Sequence, residues 1–355
     1  MGPESIEASF LSIFALISFF VFLLISKFSD KIKNGALLDK NFTKPQAFHD
    51  TPITRSGGIA IIISLTVFFG IYYLLYSKIL FDYMLISYSM FLIGFIDDLK
   101  INVKPFKRLL LMIIFLTSLI YFLPIKIWNI DIPFLIPLLN NEIFSIVFVL
   151  LCFLFIINGA NLVDGFNGLL TINLIIINVV LSYLNIKNGN FEFSIILISQ
   201  IIILISFLLF NFPSAKIFLG DSGAYLMGSL IALNTILTNN YNPSISSFFF
   251  CSLLFYLFFE VFFSFFRKLY QKKSPLLPDE NHFHMLIFKN LNKNNNLRKN
   301  NYWTSIYINT GYSMLILPGI YFMHDPIISR YWFFILLIIY SLLYSTIFKK
   351  LYNDI

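Results

Sequence analysis

Charge is scarce in this chain. Asp, Glu, Lys and Arg make up 12% of its 355 residues, while hydrophobic residues reach 58% and aromatics 19%, with a mean hydropathy of +0.81. A soluble domain carries about 25% charged residues, so that class is excluded and the chain reads as an all-α polytopic membrane protein. Cysteine is nearly absent: Cys152 and Cys251 both fall inside apolar runs, which leaves neither a disulfide framework nor a cysteine metal site. The period-two alternation of an outer-membrane barrel is missing, because the apolar runs are continuous. No small-residue cleavage site follows the first apolar run, so it is expected as a retained span rather than a removed signal. Internal repeats are lacking too. Length alone would suggest two or three soluble domains, but a bundle of spans counts as one unit, and residues 1–355 are taken as a single integral-membrane domain.

What the chain has in quantity is apolar runs. About twenty apolar residues cross a bilayer, fewer where the ends are anchored. On that basis about 11 transmembrane helices in one bundle are expected, at roughly 6–26, 57–76, 79–96, 108–123, 143–160, 169–186, 193–211, 223–238, 245–266, 303–323 and 330–348. Placing the N-terminus outside leaves only Lys78, Lys126, Lys187 and Arg330, of 25 basic residues, on the outer face. All others fall inside, as the positive-inside rule requires, and the C-terminus is then inside. One missed span would scramble every later loop. With this topology Asp97-Asp98, the stretch 158–168, Phe218–Gly223 and the loop 267–302 all emerge on the cytoplasmic face. Residues 124–142, with three prolines and an alternating stretch, are expected as a small hairpin on the outer surface. The Asn-rich tract 290–301 reads as a solvated loop.

The polar stretch Asn158-Gly-Ala-Asn161-Leu-Val-Asp164-Gly165-Phe-Asn167-Gly168 follows a run from Ile143 to Ile157 whose single polar side chain is Ser145. A polar segment between two spans must sit at a membrane surface or line a wet cavity. If the helix continues into it, Asn158, Asn161 and Gly165 share one stripe with Asp164 at its edge. Amide oxygens, a carboxylate and bare backbone suit a hard cation and a nucleotide. The plainer alternative is a helix-breaking loop whose Asn and Gly residues turn the chain. Asp97 and Asp98 end an apolar helix, where acid opposes the macrodipole. Adjacent helical positions point about 100° apart, so the two carboxylates are expected to serve different partners. Asp221 is either an N-cap for the span that restarts there or a carboxylate ligand to Mg²⁺. Phe218, just before it, is placed to stack on a base.

His282 and His284 project to one side only if the segment is extended, which puts them on a loop or strand. Zinc would need about four ligands, and only His49 and His324 remain, the latter outside; phosphate or sugar binding by the histidines and Arg267 fits better. His49-Asp-Thr-Pro52-Ile-Thr-Arg55-Ser-Gly57-Gly58 opens the second span. There the glycine amides would face an anion with Arg55 beside them, unless the segment is a simple tethered loop. Glu260, alone within the ninth span, is either a buried hydrogen-bonding residue or a border of a lipid entrance.

Five motifs recur together in this order: His49-x-x-Pro52-x-x-Arg55-x-Gly-Gly, Gly94-Phe-x-Asp-Asp98, Asn158-x-x-Asn161-x-x-Asp164-Gly-x-Asn-Gly168, Phe218-x-Gly-Asp221-Ser-Gly and Asp279-x-x-His-x-His284. They resemble the polyprenyl-phosphate N-acetylhexosamine-1-phosphate transferases of glycosyltransferase family 4, over about residues 35–290. That superfamily includes phospho-N-acetylmuramoyl-pentapeptide transferase and the transferases that start O-antigen, teichoic acid and N-glycan assembly. The resemblance implies that a polyprenyl phosphate attacks the β-phosphate of a UDP-N-acetylhexosamine at the cytoplasmic face of a bacterial inner membrane, and UMP leaves. It implies Mg²⁺, with Mn²⁺ as a substitute, held by Asp221 and Asn161. By motif position, Gly165 and Phe218 resemble the uracil-binding pair, Lys107 the lysine on the diphosphate, and Asp97 the group that activates the lipid phosphate. Asp98, Asp164, His282, His284 and Arg55 carry over as active-site residues, and Asn158, His49 and Arg267 as substrate contacts. Loop 267–302 would recognise the sugar. Met285 stands where many relatives have a further histidine, and Thr54 where many have proline, which leaves the sugar open.

A polar phosphoryl-transfer site of this kind needs no nucleic-acid partner; a homodimer is left open. Within the enzyme class the alternative is the pentapeptide transferase itself. A cation-coupled transporter is the rival outside it, and would need charges near the bilayer midplane.

Overall fold

The computed structural model describes residues 3–39, 52–101, 103–123, 125–274, 279–292 and 296–352. Its helices are α1 (Pro3–Phe28), α2 (Gly57–Tyr76), α3 (Phe81–Asp98), α4 (Pro105–Phe122), α5 (Ile136–Leu139), α6 (Glu142–Val163) and α7 (Leu169–Lys187). They continue with α8 (Phe191–Asn211), α9 (Gly220–Tyr241), α10 (Ser247–Leu253), α11 (Phe255–Tyr270), α12 (Phe283–Leu291), α13 (Leu297–Phe322) and α14 (Pro326–Tyr352). A 3-10 turn at Ser29–Gly35 leads into strand β1 (Leu38–Asp39), which pairs antiparallel with β2 (Ile53–Thr54).

Among the described residues, seven helices are long and apolar enough to cross a membrane: α1, α2, α4, α6, α7, α8 and α14. The pair α10 and α11, bent by 73° at Leu254, would make an eighth. A multi-pass membrane protein follows from this. The expected spans at 79–96, 223–238 and 303–323 do coincide with helices, α3, α9 and α13, but these are too polar to qualify on composition. For α9 the packing supplies the reason. It is buried along almost its whole length and sheltered by α2, α3, α6 and α7, so its polar side chains meet protein rather than lipid.

Those side chains pair across helices. Asn234 of α9 accepts from the Tyr83 hydroxyl of α3 at 2.8 Å and donates to Asn178 of α7 at 3.0 Å and Gln200 of α8 at 2.7 Å. One turn further on, Thr238 Oγ1 accepts from Asn185 of α7 at 3.0 Å. In hydrocarbon an unsatisfied polar group costs several kcal/mol, so these bonds select the neighbours of α9 as well as the depth at which it sits.

Three local expectations are corrected. Residues 125–142 hold α5 and no strand: the Asn239 and Asn240 amides donate to the carbonyls of Asn129 and Lys126, so a helix end takes the bonds a hairpin partner would have taken. Residues 267–302 are not a plain loop, since α11 runs to Tyr270 and α12 occupies Phe283–Leu291. The Asn-rich tract is ordered from Leu297 onward as α13, because Asn296 caps it by accepting from the Lys299 amide.

Candidate active site

One end of the bundle gathers the start of α2, the C-terminal end of α3, the start of α4, the C-terminal end of α6 and the start of α9. The α3–α9 crossing is close because two residues lack a side chain. A Cβ on Gly94 would come within 2.5 Å of the Asp221 backbone, and one on Gly220, whose φ is +76°, within 2.6 Å of the Asp98 carboxylate.

The adjacent aspartates divide as expected. Asp98 is fully buried: its Oδ1 accepts the Asp221 amide at 3.0 Å, and its Oδ2 accepts the Ser222 amide at 2.9 Å and hydroxyl at 2.5 Å. It therefore satisfies free donors at the start of α9, where the helix dipole also favours negative charge. Asp97, a helical step away and partly exposed, is bound instead by Arg108 Nη1 at 2.6 Å. The same Nη1 reaches Asp221 Oδ2 at 2.8 Å, while Asn161 Nδ2 donates to Asp221 Oδ1 at 3.1 Å. Arg55 Nη1 stands 3.8 Å from Asp98 and 4.0 Å from Asp221, its far side clamped at 2.7 Å to Asp39 of β1.

Asp164 closes α6 as its C-terminal cap, three residues past Asn161. Its carboxyl is pushed up to about 7, chiefly by desolvation and then by the Asp221 carboxylate. Asn158, a turn earlier, folds back to donate to the Leu154 carbonyl at 2.7 Å. Phe218 is half-buried beside the bridge between Thr54 and Ile217, its amide on the Thr54 carbonyl at 2.8 Å. The Gly57 and Gly58 amides, expected to face an anion, donate to the carbonyls of Phe218 and Leu219 at 2.8 and 2.9 Å. Their task is to seat α2 against the turn into α9, which leaves Arg55 as the anion-facing group of that motif.

Gly165 leads to a second cluster. A Cβ there would lie 3.2 Å from His284 Nε2, and Phe166 meets the His284 ring edge to face at 5.8 Å. The expected loop or strand is not what holds the pair: His282 is the extended N-cap of α12 and His284 lies in its first turn, and the two rings stack at 5.5 Å with planes 2° apart. Burial drives His284 down to about 4, and among the described residues neither of its ring nitrogens has a hydrogen-bond partner. Glu260 of α11 holds His282 Nδ1 at 2.9 Å. Arg267 pairs with Asp279 and lies over the Tyr344 ring at 5.7 Å. Though burial works against it, that guanidinium holds the Asp279 carboxyl below its usual range.

The structure thus brings together Asp97, Asp98, Asp221, Asn161 and Arg55, with Asp164 near enough to feel Asp221, and, through Gly165, His282 and His284. Lys107 is exposed; its neighbour Arg108 makes the carboxylate contacts. His49 lies outside the described residues. Arg108 and Asp39 are the residues that motif reading missed, and Glu260, expected as a buried hydrogen-bonding residue or a lipid border, takes the first of those roles. Only the isolated charge of Glu260 in an apolar span was a visible signal.

Among the described residues no three His, Cys, Asp or Glu form a metal-holding group. An all-protein cage is therefore absent from these residues, but Mg²⁺ takes one or two carboxylates and completes its shell with phosphate and water. Asp221 and the Asn161 amide oxygen fit that pattern. The Arg108 cation, bridging Asp97 and Asp221, marks where positive charge is favoured.

Comparisons with known proteins place the chain among sugar-phosphate transferases. A glycosyl transferase family 4 model matches residues 80–239. The undecaprenyl-phosphate alpha-N-acetylglucosaminyl 1-phosphate transferase of Thermotoga maritima is 27% identical over 305 residues, 85% of this chain and 86% of that protein. The phospho-N-acetylmuramoyl-pentapeptide-transferase of Dictyoglomus turgidum is 30% identical over 63% of this chain and 73% of its own length. Against the Clostridium botulinum enzyme of the same name identity is 30%, and the chain spans 49% of that protein's length.

Proposed function

On the premise that this chain belongs to glycosyl transferase family 4, we propose that it transfers an N-acetylhexosamine 1-phosphate from a UDP-sugar to undecaprenyl or a similar polyprenyl phosphate, releasing UMP. The observation that carries this is the meeting of Asp97, Asp221, Asn161, Arg55 and Arg108 at one end of the bundle. The likeness to the Thermotoga maritima enzyme along 85% of the chain supports the UDP-N-acetylhexosamine substrate. The product would begin a lipid-linked surface glycan. The proposed setting is a bacterial inner membrane, with eleven spans, the N-terminus outside and the site on the cytoplasmic face.

Phosphoryl transfer needs positioning and neutralisation of spreading charge more than it needs a protein nucleophile. The acceptor phosphate oxygen forms a bond to the sugar-bearing β-phosphorus, and the bond from that phosphorus to the oxygen retained by UMP breaks. Arg108, Arg55 and Lys107 stabilise the charge on the diphosphate. Gly165 and Phe218 hold the uracil, and His282, His284, Arg267 and Asn158 border the sugar and nucleotide, with His49 approaching from its own motif. Asp164 shares this face. Asp221 and Asn161 would hold Mg²⁺, which when bound supplies a Lewis acid on the diphosphate oxygens. A phosphate monoester has a second pKa of about 6, so the lipid phosphate is already mostly ionised. Asp97 then orients it and takes the residual proton, and direct attack is preferred to an aspartyl-phosphate intermediate.

Purified protein in detergent, given undecaprenyl phosphate, Mg²⁺ and a panel of UDP-sugars, tests the reading. UMP release that needs both lipid and metal, and is abolished by Asp221→Asn, is the expected result. Exchange of labelled UMP into UDP-sugar without lipid would count against direct attack. A second reading, the pentapeptide transferase, is favoured by the Dictyoglomus turgidum match, and the same panel separates the two. The transporter reading has no support, since the charged groups of the site converge at helix ends.

A further inference from the structure

Glu260 lies in α11 just past the bend, 1% exposed, and is not part of any motif considered above. A buried carboxylate is tolerated only with its lone pairs satisfied, and three donors from two elements, the start of α12 and the middle of α14, satisfy this one. Its Oε1 accepts from His282 Nδ1 at 2.9 Å and from the Phe283 amide at 3.1 Å; its Oε2 accepts from the Tyr340 hydroxyl of α14 at 2.5 Å. The Phe283 amide and Tyr340 hydroxyl are donors, so the carboxylate is the acceptor throughout. His282 therefore carries its hydrogen on Nδ1, and Nε2 is the nitrogen with the lone pair. The fixed ring in turn stacks on His284, whose imidazole abuts Gly165.

We propose that Glu260, seated by Tyr340, is a positioning residue that sets the tautomer and orientation of His282, and through the stacked rings places His284 against Gly165. This rests on the transferase reading only for its kinetic arm. Removing the carboxylate behind a metal-bound histidine typically costs about 10- to 100-fold in activity, and a loss of that order is taken as the expectation for a carboxylate that fixes a catalytic-site histidine.

The test has two arms. In the first, kcat and KM for the UDP-sugar are measured for Glu260→Gln, His282→Ala and the double variant. Glu260→Gln should lose about 10- to 100-fold in kcat, with KM changed much less. The double variant should be no worse than His282→Ala alone, because a residue acting only through another has no further effect once that other is gone. Wild-type kcat in Glu260→Gln, or losses that multiply, overturns the proposal. Should Glu260→Gln fail to fold, Tyr340→Phe, which removes one donor, takes its place under the same criteria. The second arm needs no activity: nitrogen-15 NMR of labelled histidine in nanodiscs, with His282 assigned by its loss in His282→Gln. Nδ1–H in the wild type, shifting toward a tautomer mixture in the Glu260 or Tyr340 variant, is expected; an Nε2–H wild type overturns the assignment. If the protein releases no UMP at all, the transferase reading fails while this arm still decides the role of Glu260.

Discussion

Arg108 Nη1 binds Asp97 at 2.6 Å and, with the same nitrogen, the carboxylate of Asp221 at 2.8 Å. One cation from the start of α4 thus joins the end of α3 to the start of α9. Its sequence neighbour Lys107, about 100° away around the helix, is exposed.

Arg108→Ala is therefore expected to lower kcat/KM for UMP release by about 100-fold, the cost of one preorganised donor on developing charge. Lys107→Ala should lose less. Steady-state kinetics on the two purified variants checks the order; a larger loss at Lys107 would move the diphosphate contact there.

Asp97 and Asp98 should separate stability from catalysis. Asp98→Asn turns an amide NH₂ toward donors that now share one carboxylate, and about 1–3 kcal/mol per unsatisfied group follows. A lowered Tm in detergent is expected. Asp97→Asn should keep the wild-type Tm and lose most UMP release. Equal melting of the two would show that Asp98 does not pin α9.

Close approach at the α3–α9 crossing gives a steric prediction. Gly94→Ala places a methyl about where the Asp221 backbone already is and should disrupt the fold or abolish turnover. Gly70→Ala, where nothing lies within 4 Å, should leave both intact. Size-exclusion profiles and UMP release on the pair read out the difference.

The Asp164 carboxyl, at 3.8 when unperturbed and about 7 in the fold, binds its proton more tightly folded than unfolded. Its stabilising effect is full below pH 3.8 and is lost as pH rises toward 7, so stability falls across that window and levels off above it. In chelated protein, Asp164→Asn should flatten that part of the Tm profile relative to wild type. An unchanged slope would assign it to other carboxylates.

Motif reading went far with residues whose neighbours in sequence are also their neighbours in space. The alignment of Asn158 and Asn161 along α6 and the divided roles of Asp97 and Asp98 follow from helical geometry alone, whereas Gly165 lies in the turn past the end of α6 and His284 in a helix rather than on the loop or strand expected. It failed at Gly57 and Gly58, whose amides bond to carbonyls more than 150 residues away; it placed α9 but not the reason a helix so polar is stable there, since that shelter is a property of four other helices.

Membrane class, the long helices and most of the polar segments between them were determined by the sequence itself, because the cost of placing each side chain in hydrocarbon depends on that side chain and its immediate run. Tertiary structure alone decided that Arg108 reaches the carboxylates, that Asp39 clamps Arg55 and that Glu260 meets His282 and Tyr340. These are contacts between groups far apart along the chain. Which of two adjacent helical positions makes such a contact is set by the rotation and crossing of the packed helices, and no local pattern encodes that.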